Sequence, residues 1–347
     1  MAVVGAGVTG CSCALAVAEA GLRVRVHDGR EIAGGASGRN GGFALRGGAA
    51  PYDVARNQLG AERAAELWRL TERALERMAA LAGDAFRPTG SLRLASDADE
   101  AVGLHAEYEA LHDDGFAAEW RPELGGRLAG RFEGALFHPT DGSLHPARWV
   151  RRLAARAAAA GAEIREHDRV ASLDELDAEQ VVVATDGYTD GLVDELDDAV
   201  RPTRGQVIVT APLGEELYPC PHYARFGYDY WQQTPDLRLV LGGFRDTADE
   251  EWTAREETTP GIQARLDLYA EELAGEPVEI TRRWCGIFGM TADLLPLVGR
   301  LRAGVWAACG YSGHGNVLGL ACGKLVGRAI AGDPASELAL FDAARAL

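Results

Sequence analysis

Lysine is nearly missing from this chain: of 35 basic residues, only Lys324 is a lysine. A pyridoxal-phosphate enzyme needs a Schiff-base lysine, and a P-loop needs Gly-Lys followed by Ser or Thr. Lys324 follows Gly323 but precedes Leu325, inside the last helical segment, so both classes fit poorly. The six cysteines (Cys11, Cys13, Cys220, Cys285, Cys309 and Cys322) never form C-x-x-C and lie among apolar or small neighbours. Zinc-ligand spacing is therefore lacking, no metal site is expected, and reduced core thiols of a cytoplasmic protein are. No apolar run reaches ~18 residues, so no membrane span is expected. The apolar N-terminus has no basic leader and is broken by glycines, unlike a signal peptide. Acids outnumber bases 52 to 35, giving a formal charge of −17. Such a surface repels nucleic acid and mildly attracts a cationic substrate.

What is present suffices for a large core. The 347 residues are 47% hydrophobic, a length for about two domains at roughly 150 residues each. Residues 1–4 read as a strand, 9–20 as a helix, Val24–His27 as a second strand and 34–48 as a glycine-rich loop. Leu67, Leu70, Ala74, Leu75, Met78 and Leu81 recur at helical spacing within 60–82. Phe86–Ala95 reads as a strand interrupted by Pro-Thr-Gly. Ser96-Asp97-Ala98-Asp99 resembles a capping box before a helix to about His112. Pro146 suits the first position of a helix ending at Gly161. Strands are expected at Ile164, Gln180–Ala184, Gln206–Thr210, Leu237–Leu241, Trp284–Phe288 and Val305–Ala308. Helices are expected over 260–274 and from Gly313 to before Gly332. The ends read as α/β and the middle as β-rich, so the chain is expected to cross several times between a nucleotide-binding domain and a substrate domain.

Val3-Val4-Gly5-Ala6-Gly7-Val8-Thr9-Gly10 places G-x-G-x-x-G between a strand and a helix. Gly5 permits the tight turn, Gly7 lets backbone approach a pyrophosphate, and Gly10 lets helix pack on strand. Val8 and Thr9 open the helix, whose free N–H groups suit phosphate. Asp28 ends the second strand, 18 residues past Gly10, where an acid can hold ribose hydroxyls. Met1 stands only four residues before Gly5, a short lead-in.

The next blocks narrow the cofactor. Gly34-Gly35-Ala36-Ser37-Gly38-Arg39-Asn40-Gly41-Gly42 resembles the G-A-S-G-R-N-G-G loop of FAD oxidoreductases of the D-amino-acid oxidase superfamily, most closely its γ-glutamylputrescine oxidoreductase branch. Ser37, Arg39 and Asn40 would supply donors there. Val181–Thr185 with Gly187-Tyr188 resembles the later FAD-domain strand and turn. Trp284-Cys285-Gly286-Ile287-Phe288-Gly289-Met290-Thr291-Ala292-Asp293, with Pro296 and Gly299, resembles W-x-G-x-x-G-x-T-P-D-x-x-P-x-x-G. Gly310-Tyr311-Ser312-Gly313-His314-Gly315 resembles G-[YF]-S-G-H-G, and Arg204-Gly205-Gln206 matches a further R-G-Q. These blocks run in order along nearly the whole chain.

The resemblance implies a Rossmann-like (GR2-type) FAD-binding domain from 1–84, 142–203 and 286–347. It implies an antiparallel-sheet substrate domain from 85–141 and 204–285. It further implies FAD contacts at Gly29, Arg30, Ala36, Gly41, Gly42, Val170, Ala184, Thr185, Gly187, Gly286, Gly315 and Asn316. At Gly313, His314 and Gly315, backbone N–H groups and a helix N-terminus would face the flavin pyrimidine edge and stabilise its reduced charge. Tyr230, Trp231, Phe288 and His314 are the expected substrate-side residues. Phe226-Gly227-Tyr228-Asp229-Tyr230-Trp231 is aromatic enough to hold a cationic amine or simply to pack in a sheet.

Departures from the family pattern bear on substrate. Relatives that oxidise glycine or D-amino acids carry a carboxylate-binding Arg where this chain has Phe288. Sarcosine oxidases carry a Lys where it has about Val317. Both argue against a simple α-amino acid held in the usual way and for an amine with an apolar or extended body, with Arg46 or Arg204 as replacement anchors. The oxygen-promoting lysine of sarcosine oxidases is also missing, which favours another acceptor without excluding oxygen. Their flavin-linking cysteine falls at Gly286, one residue from Cys285, so non-covalent FAD is expected. The expected reaction is hydride transfer from an amine to flavin N5, giving an imine that water hydrolyses. The alternatives are a hydroxy-acid dehydrogenase and a non-catalytic flavin-binding protein.

Overall fold

A computed structural model describes residues 1–346. Two large sheets organise it. The first has six strands in the order Leu297–Arg302, Val305–Cys309, Val181–Val183, Ala2–Val4, Arg25–His27, Glu163–Arg165. All neighbours are parallel except the pair joining Leu297–Arg302 to Val305–Cys309. Its central strands, AVV and VVV, are buried throughout. That is the signature of a parallel sheet covered on both faces.

Helices Val8–Glu19 and Gly315–Ile330 lie together against this sheet. Their contact is close because Gly319, Gly323 and Gly327 recur every four residues on one stripe of the last helix. A Cβ at Gly323 would meet Thr9 O at 2.2 Å, and one at Gly327 would meet Cys13 O at 2.8 Å. The main core continues through Trp149, Leu153, Met78 and Leu75 on helices Pro146–Ala159 and Ala61–Ala82.

The second sheet has eight strands in the order Ile280–Met290, Arg201–Pro212, Arg238–Gly243, Asp229–Gln233, His222–Ala224, Ser91–Leu94, Ala135–His138, Glu119–Arg121. It is antiparallel as expected, except that His222–Ala224 runs parallel to Ser91–Leu94. One of its faces is covered by helix Pro260–Ala274 through Ile208, Leu241, Ile262 and Leu266. A three-stranded sheet of Phe43–Ala44, Gly142–Leu144 and Phe86–Arg87 joins the two.

Several local expectations need correction. The 34–48 loop contains a helical turn, Ala36–Arg39, and the strand Phe43–Ala44. The Phe86–Ala95 stretch splits between two sheets at its Pro-Thr-Gly turn. The capping motif is shifted by one residue: Asp97, not Ser96, accepts the Glu100 N–H at 2.8 Å, and Glu100 reaches back to the Ser96 N–H. A further helix, Tyr52–Leu59, adds to those expected and turns Tyr52 and Ala55 inward. No described helix is long and apolar enough to cross a membrane.

Candidate active site

A single cavity of about 1170 Å³ lies between the two large sheets. This exceeds the ~300–1,000 Å³ of an ordinary small-molecule pocket, leaving room for a dinucleotide and a substrate together. At one end stands the N-terminus of helix Val8–Glu19. Gly5 has φ +105°, and a Cβ there would sit 2.6 Å from Ala184 O. A Cβ on Gly10 would lie 1.8 Å from Gly5 O, so this glycine is required for helix–strand contact and does not line the cavity. The N–H groups of Gly7, Thr9 and Gly10 have no protein acceptor among the described residues.

Asp28 lines the same end, with Gly29 and Arg30 beside it. Its carboxylate accepts the Ala6 N–H at 2.6 Å and the Arg30 N–H at 2.9 Å. Burial raises its pKa above the usual value, and those two N–H groups pull the other way. Arg30 pairs with Glu256 at 2.6 Å and lies over the Tyr188 ring. The Tyr188 hydroxyl donates to Glu256 and accepts the Ile287 N–H. Glu256 thereby ties a loop of the second sheet to the nucleotide end. Val170, Ala184, Thr185 and Gly187 complete this wall.

Ala36, Ser37, Arg39, Asn40 and Gly41 all line the cavity, but the expected donors are largely turned towards protein. Ser37 Oγ accepts the Val8 N–H at 3.0 Å. Arg39 donates to Cys285 O at 3.2 Å. Asn40 Nδ2 donates to Ala36 O, Ser37 O and Asn316 Oδ1. Asn316 in turn donates to Asn40 Oδ1 and Phe43 O. These side chains brace the loop against the last helix and leave the backbone to face a ligand. Gly42 does not line the cavity; it packs against Gln232 and Leu144.

The turn Gly310–Gly315 delivers the second helix N-terminus. Asp186 organises it. Its carboxylate accepts the N–H of Gly289 at 2.8 Å, Gly310 at 2.7 Å and Tyr311 at 3.4 Å. Two cavity-lining segments, the end of strand Ile280–Met290 and this turn, are thus held by one side chain that the sequence motif left as an unspecified position. Burial raises its pKa, and these backbone bonds oppose the rise. The N–H groups of Gly313, Gly315 and Asn316 have no protein acceptor among the described residues. His314 is half-buried at the wall, and its Nδ1 has no hydrogen-bond partner. Burial, then the nearby Arg93 charge, pushes its pKa down to about 4, so the ring is neutral at pH 7.

The opposite wall comes from the second sheet. Tyr230 and Phe288 face the cavity, together with Tyr228, Phe226, Tyr223 and Phe43. The Tyr230 ring meets Phe43 edge-on at 5.8 Å, and burial pushes its phenol up to about 12. Trp231 is not part of the site. Strand alternation sends Tyr230 to the cavity and Trp231 to the other face. There Trp231 is fully buried and stacks on His222 at 5.4 Å. Trp252 is also off the cavity, beneath Arg201 at 3.9 Å.

The two proposed anchors fall away as well. Arg46 is buried with Glu72 at 2.9 Å and donates to Ala117 O. Arg204 is buried with Glu251 at 2.6 Å. Neither lines the cavity. The cationic side chains on the substrate side are Arg93 and Arg245, which no motif had marked. Gly286 and Phe288 face the cavity while Cys285 points away. No cysteine lines it among the described residues.

Two helix N-termini with unsatisfied N–H groups, glycines where a Cβ would intrude and an acid at the second strand fit FAD. Comparison with known proteins agrees. The family described as DAO, FAD dependent oxidoreductase, matches residues 1–329. The γ-glutamylputrescine oxidoreductase of Escherichia coli K12 is 29% identical over 377 aligned positions, covering 98% of this chain and 84% of that protein. A probable oxidoreductase OrdL of Haemophilus influenzae is 27% identical, with the same coverage. Among solved structures, L-proline dehydrogenase of P. horikoshii has a TM-score of 0.81 at 21% identity, covering 99% of this chain and 96% of that one. Glycine oxidase of Geobacillus kaustophilus has a TM-score of 0.80 at 23% identity, covering 99% and 98%.

Proposed function

The chain belongs to the FAD-dependent oxidoreductases of the DAO family, and from that premise we propose that it oxidises a C–N bond of an amine or amino acid. The observation that carries this reading is the continuity of the cavity from the nucleotide end to the aromatic wall of Tyr228, Tyr230 and Phe288. A flavin protein of this kind needs both halves in one enclosure. The whole-length similarity to a γ-glutamylputrescine oxidoreductase supports an amine as the substrate class.

FAD would be held by Gly5, Gly7, Val8, Thr9, Asp28, Ser37, Gly41 and the Gly313–Asn316 turn, with Gly10 and Gly42 shaping that cradle from behind. Bound there, it supplies a two-electron acceptor for the C–H bond next to nitrogen. The protein does the rest. Aromatic side chains exclude water and favour a neutral amine over its ammonium form. Neutral His314 lines the wall without adding a charge to it. The unsatisfied N–H groups of the last helix stabilise negative charge that accumulates nearby. The oxidised substrate is an imine, which water hydrolyses to a carbonyl compound and the released amine. The electrons then pass to oxygen or another acceptor. Cys285 points away from the cavity, which supports non-covalent FAD, and six free, buried thiols fit a reducing cytoplasmic setting. Acid precipitation is expected to release all the flavin into the supernatant; flavin retained in the pellet would contradict this.

The test is anaerobic flavin absorbance during addition of N-methyl amines, polyamines, α-amino acids and hydroxy acids. Bleaching by amines or amino acids supports the reading. Bleaching by hydroxy acids alone would assign the enzyme to C–O bonds instead.

A further inference from the structure

Five arginines line the cavity: Arg30, Arg39, Arg93, Arg169 and Arg245. Four are matched by acids. Arg30 and Arg39 share Glu256, Arg93 pairs with Glu107, and Arg169 pairs with Asp190. Arg245 has no ion pair and no hydrogen-bond partner among the described residues. Its neighbours are rings: the guanidinium lies 4.4 Å from the Tyr228 centroid and 5.7 Å from that of Phe288. The two nearest acids are engaged elsewhere, since Arg225 takes both oxygens of Asp229 and both of Asp246.

The backbone that presents Arg245 is costly and braced. Strand Arg238–Gly243 ends in a turn where Phe244 has φ +62°, a left-handed conformation uncommon for a bulky residue. The Phe244 N–H is held by Tyr228 O at 3.0 Å and by Asp229 Oδ1 at 3.3 Å. A Cβ on Gly243 would sit 2.6 Å from Tyr228 O, so the turn is packed as well as bonded. A strained, braced turn that ends in an unanswered charge inside a ligand cavity points to a ligand that supplies the counter-charge.

We infer that Arg245 binds a carboxylate of the substrate, so that the amine oxidised here carries one. The inference rests on the C–N reading for the identity of the substrate, but not for the anion site itself. A guanidinium offers two parallel N–H donors that match a planar carboxylate. It lies beside Phe288, the position where glycine- and D-amino-acid-oxidising relatives are expected to carry their own arginine. The end of strand Arg238–Gly243 puts a cation beside Phe288 in the cavity. An amino acid is thus admitted with its carboxylate placed by the second sheet.

The test uses phenylacetate and its neutral isostere phenylacetamide as probes of the FAD-loaded protein. The readouts are the flavin visible spectrum and the melting temperature. Phenylacetate is expected to perturb the spectrum saturably and raise the melting temperature, while phenylacetamide does neither. Arg245→Met is expected to weaken phenylacetate about a hundred-fold, the size of a lost charge-assisted pair. Arg245→Lys, which keeps the charge but loses the fork, should fall between. Flavin content reports whether either variant still holds FAD. If Arg245→Met loses flavin, the lysine variant decides, by weakened phenylacetate at full flavin content. Equal responses to acid and amide in the wild type, no response to either, or phenylacetate binding indifferent to both substitutions would overturn the assignment. Amines and amino acids that all fail to bleach a flavin whose phenylacetate response still depends on Arg245 would instead overturn the C–N reading and leave this one standing.

Discussion

Asp186 offers the sharpest test of how the site is held. Removing its carboxylate leaves the N–H groups of Gly289, Gly310 and Tyr311 without their acceptor. Bonds to a charged acceptor contribute ~1.5–3 kcal/mol each. The Tyr311 bond, at 3.4 Å, is too long to add much. Burial opposes the two strong bonds, as the raised pKa shows, so the low end of the range applies. Asp186→Ala is then expected to cost ~3 kcal/mol, with up to ~1–2 kcal/mol more because residue 186 has φ +52°. Asp186→Asn tolerates that φ and keeps an oxygen for Gly310, but sets an amide N–H against Gly289. It should cost about half as much. At the lower end of ~2–4 °C per kcal/mol, the melting temperature should fall by roughly 3 °C for Asn and roughly 6–10 °C for Ala. FAD affinity should drop about ten-fold for Asn, because the loosened turn carries the Gly313–Asn316 amides. Calorimetry and FAD titration of the apoprotein measure both. If either variant melts with the wild type and binds FAD equally well, or if Ala is the more stable of the two, the account of Asp186 is wrong.

Two further outcomes follow from packing and burial. Gly10→Ala places a methyl group 1.8 Å from Gly5 O, backbone that cannot yield without moving the helix off the strand. It is expected to cost at least ~1–3 kcal/mol and to abolish flavin content. Gly261→Ala, with nothing within 4 Å, should leave both unchanged; equal flavin in the two variants would refute the role of Gly10. Buried His138 and His222 have pKa values pushed down to about 3 and about 4, chiefly by burial. Unfolded, they titrate near ~6.5. Their contribution is therefore complete above that pH and is lost as pH falls towards 4, at up to ~1.4 kcal/mol per pH unit each. Asp141, pushed up to about 6 by burial, runs the other way over part of this window. A His222→Phe variant keeps the stack on Trp231 and isolates one histidine. Its urea midpoint should fall less steeply with acid than the wild type's, and an identical slope would count against the assignment.

Local features of this chain were legible without coordinates. The G-x-G-x-x-G turn, the helix starting at Pro146 and the valine strands are written in adjacent residues, because turn geometry, helix starts and burial on both faces each act within a few positions. Gly10 and Gly5 contact each other across five residues, so their spacing alone declares the constraint. The glycine-rich loop at 34–42 and the turn at 310–315 are recognisable as ligand-facing only through their resemblance to a known family. Other parts depended on distance. Asp186 is one acid among 52, and nothing local marks it; its meaning lies in N–H groups more than a hundred residues away. Trp231 reads as well placed beside Tyr230, yet strand alternation puts it in the opposite core. Arg46 and Arg204 look available in sequence but find Glu72 and Glu251 in the fold, while Arg245 finds no acid among the described residues. Which charge remains free is settled only when every other charge has been placed. The sequence by itself determined the Gly5–Gly10 turn and the strand and helix on either side of it; tertiary structure decided which side chains face the cavity, because pairing and facing are long-range properties of the packed chain.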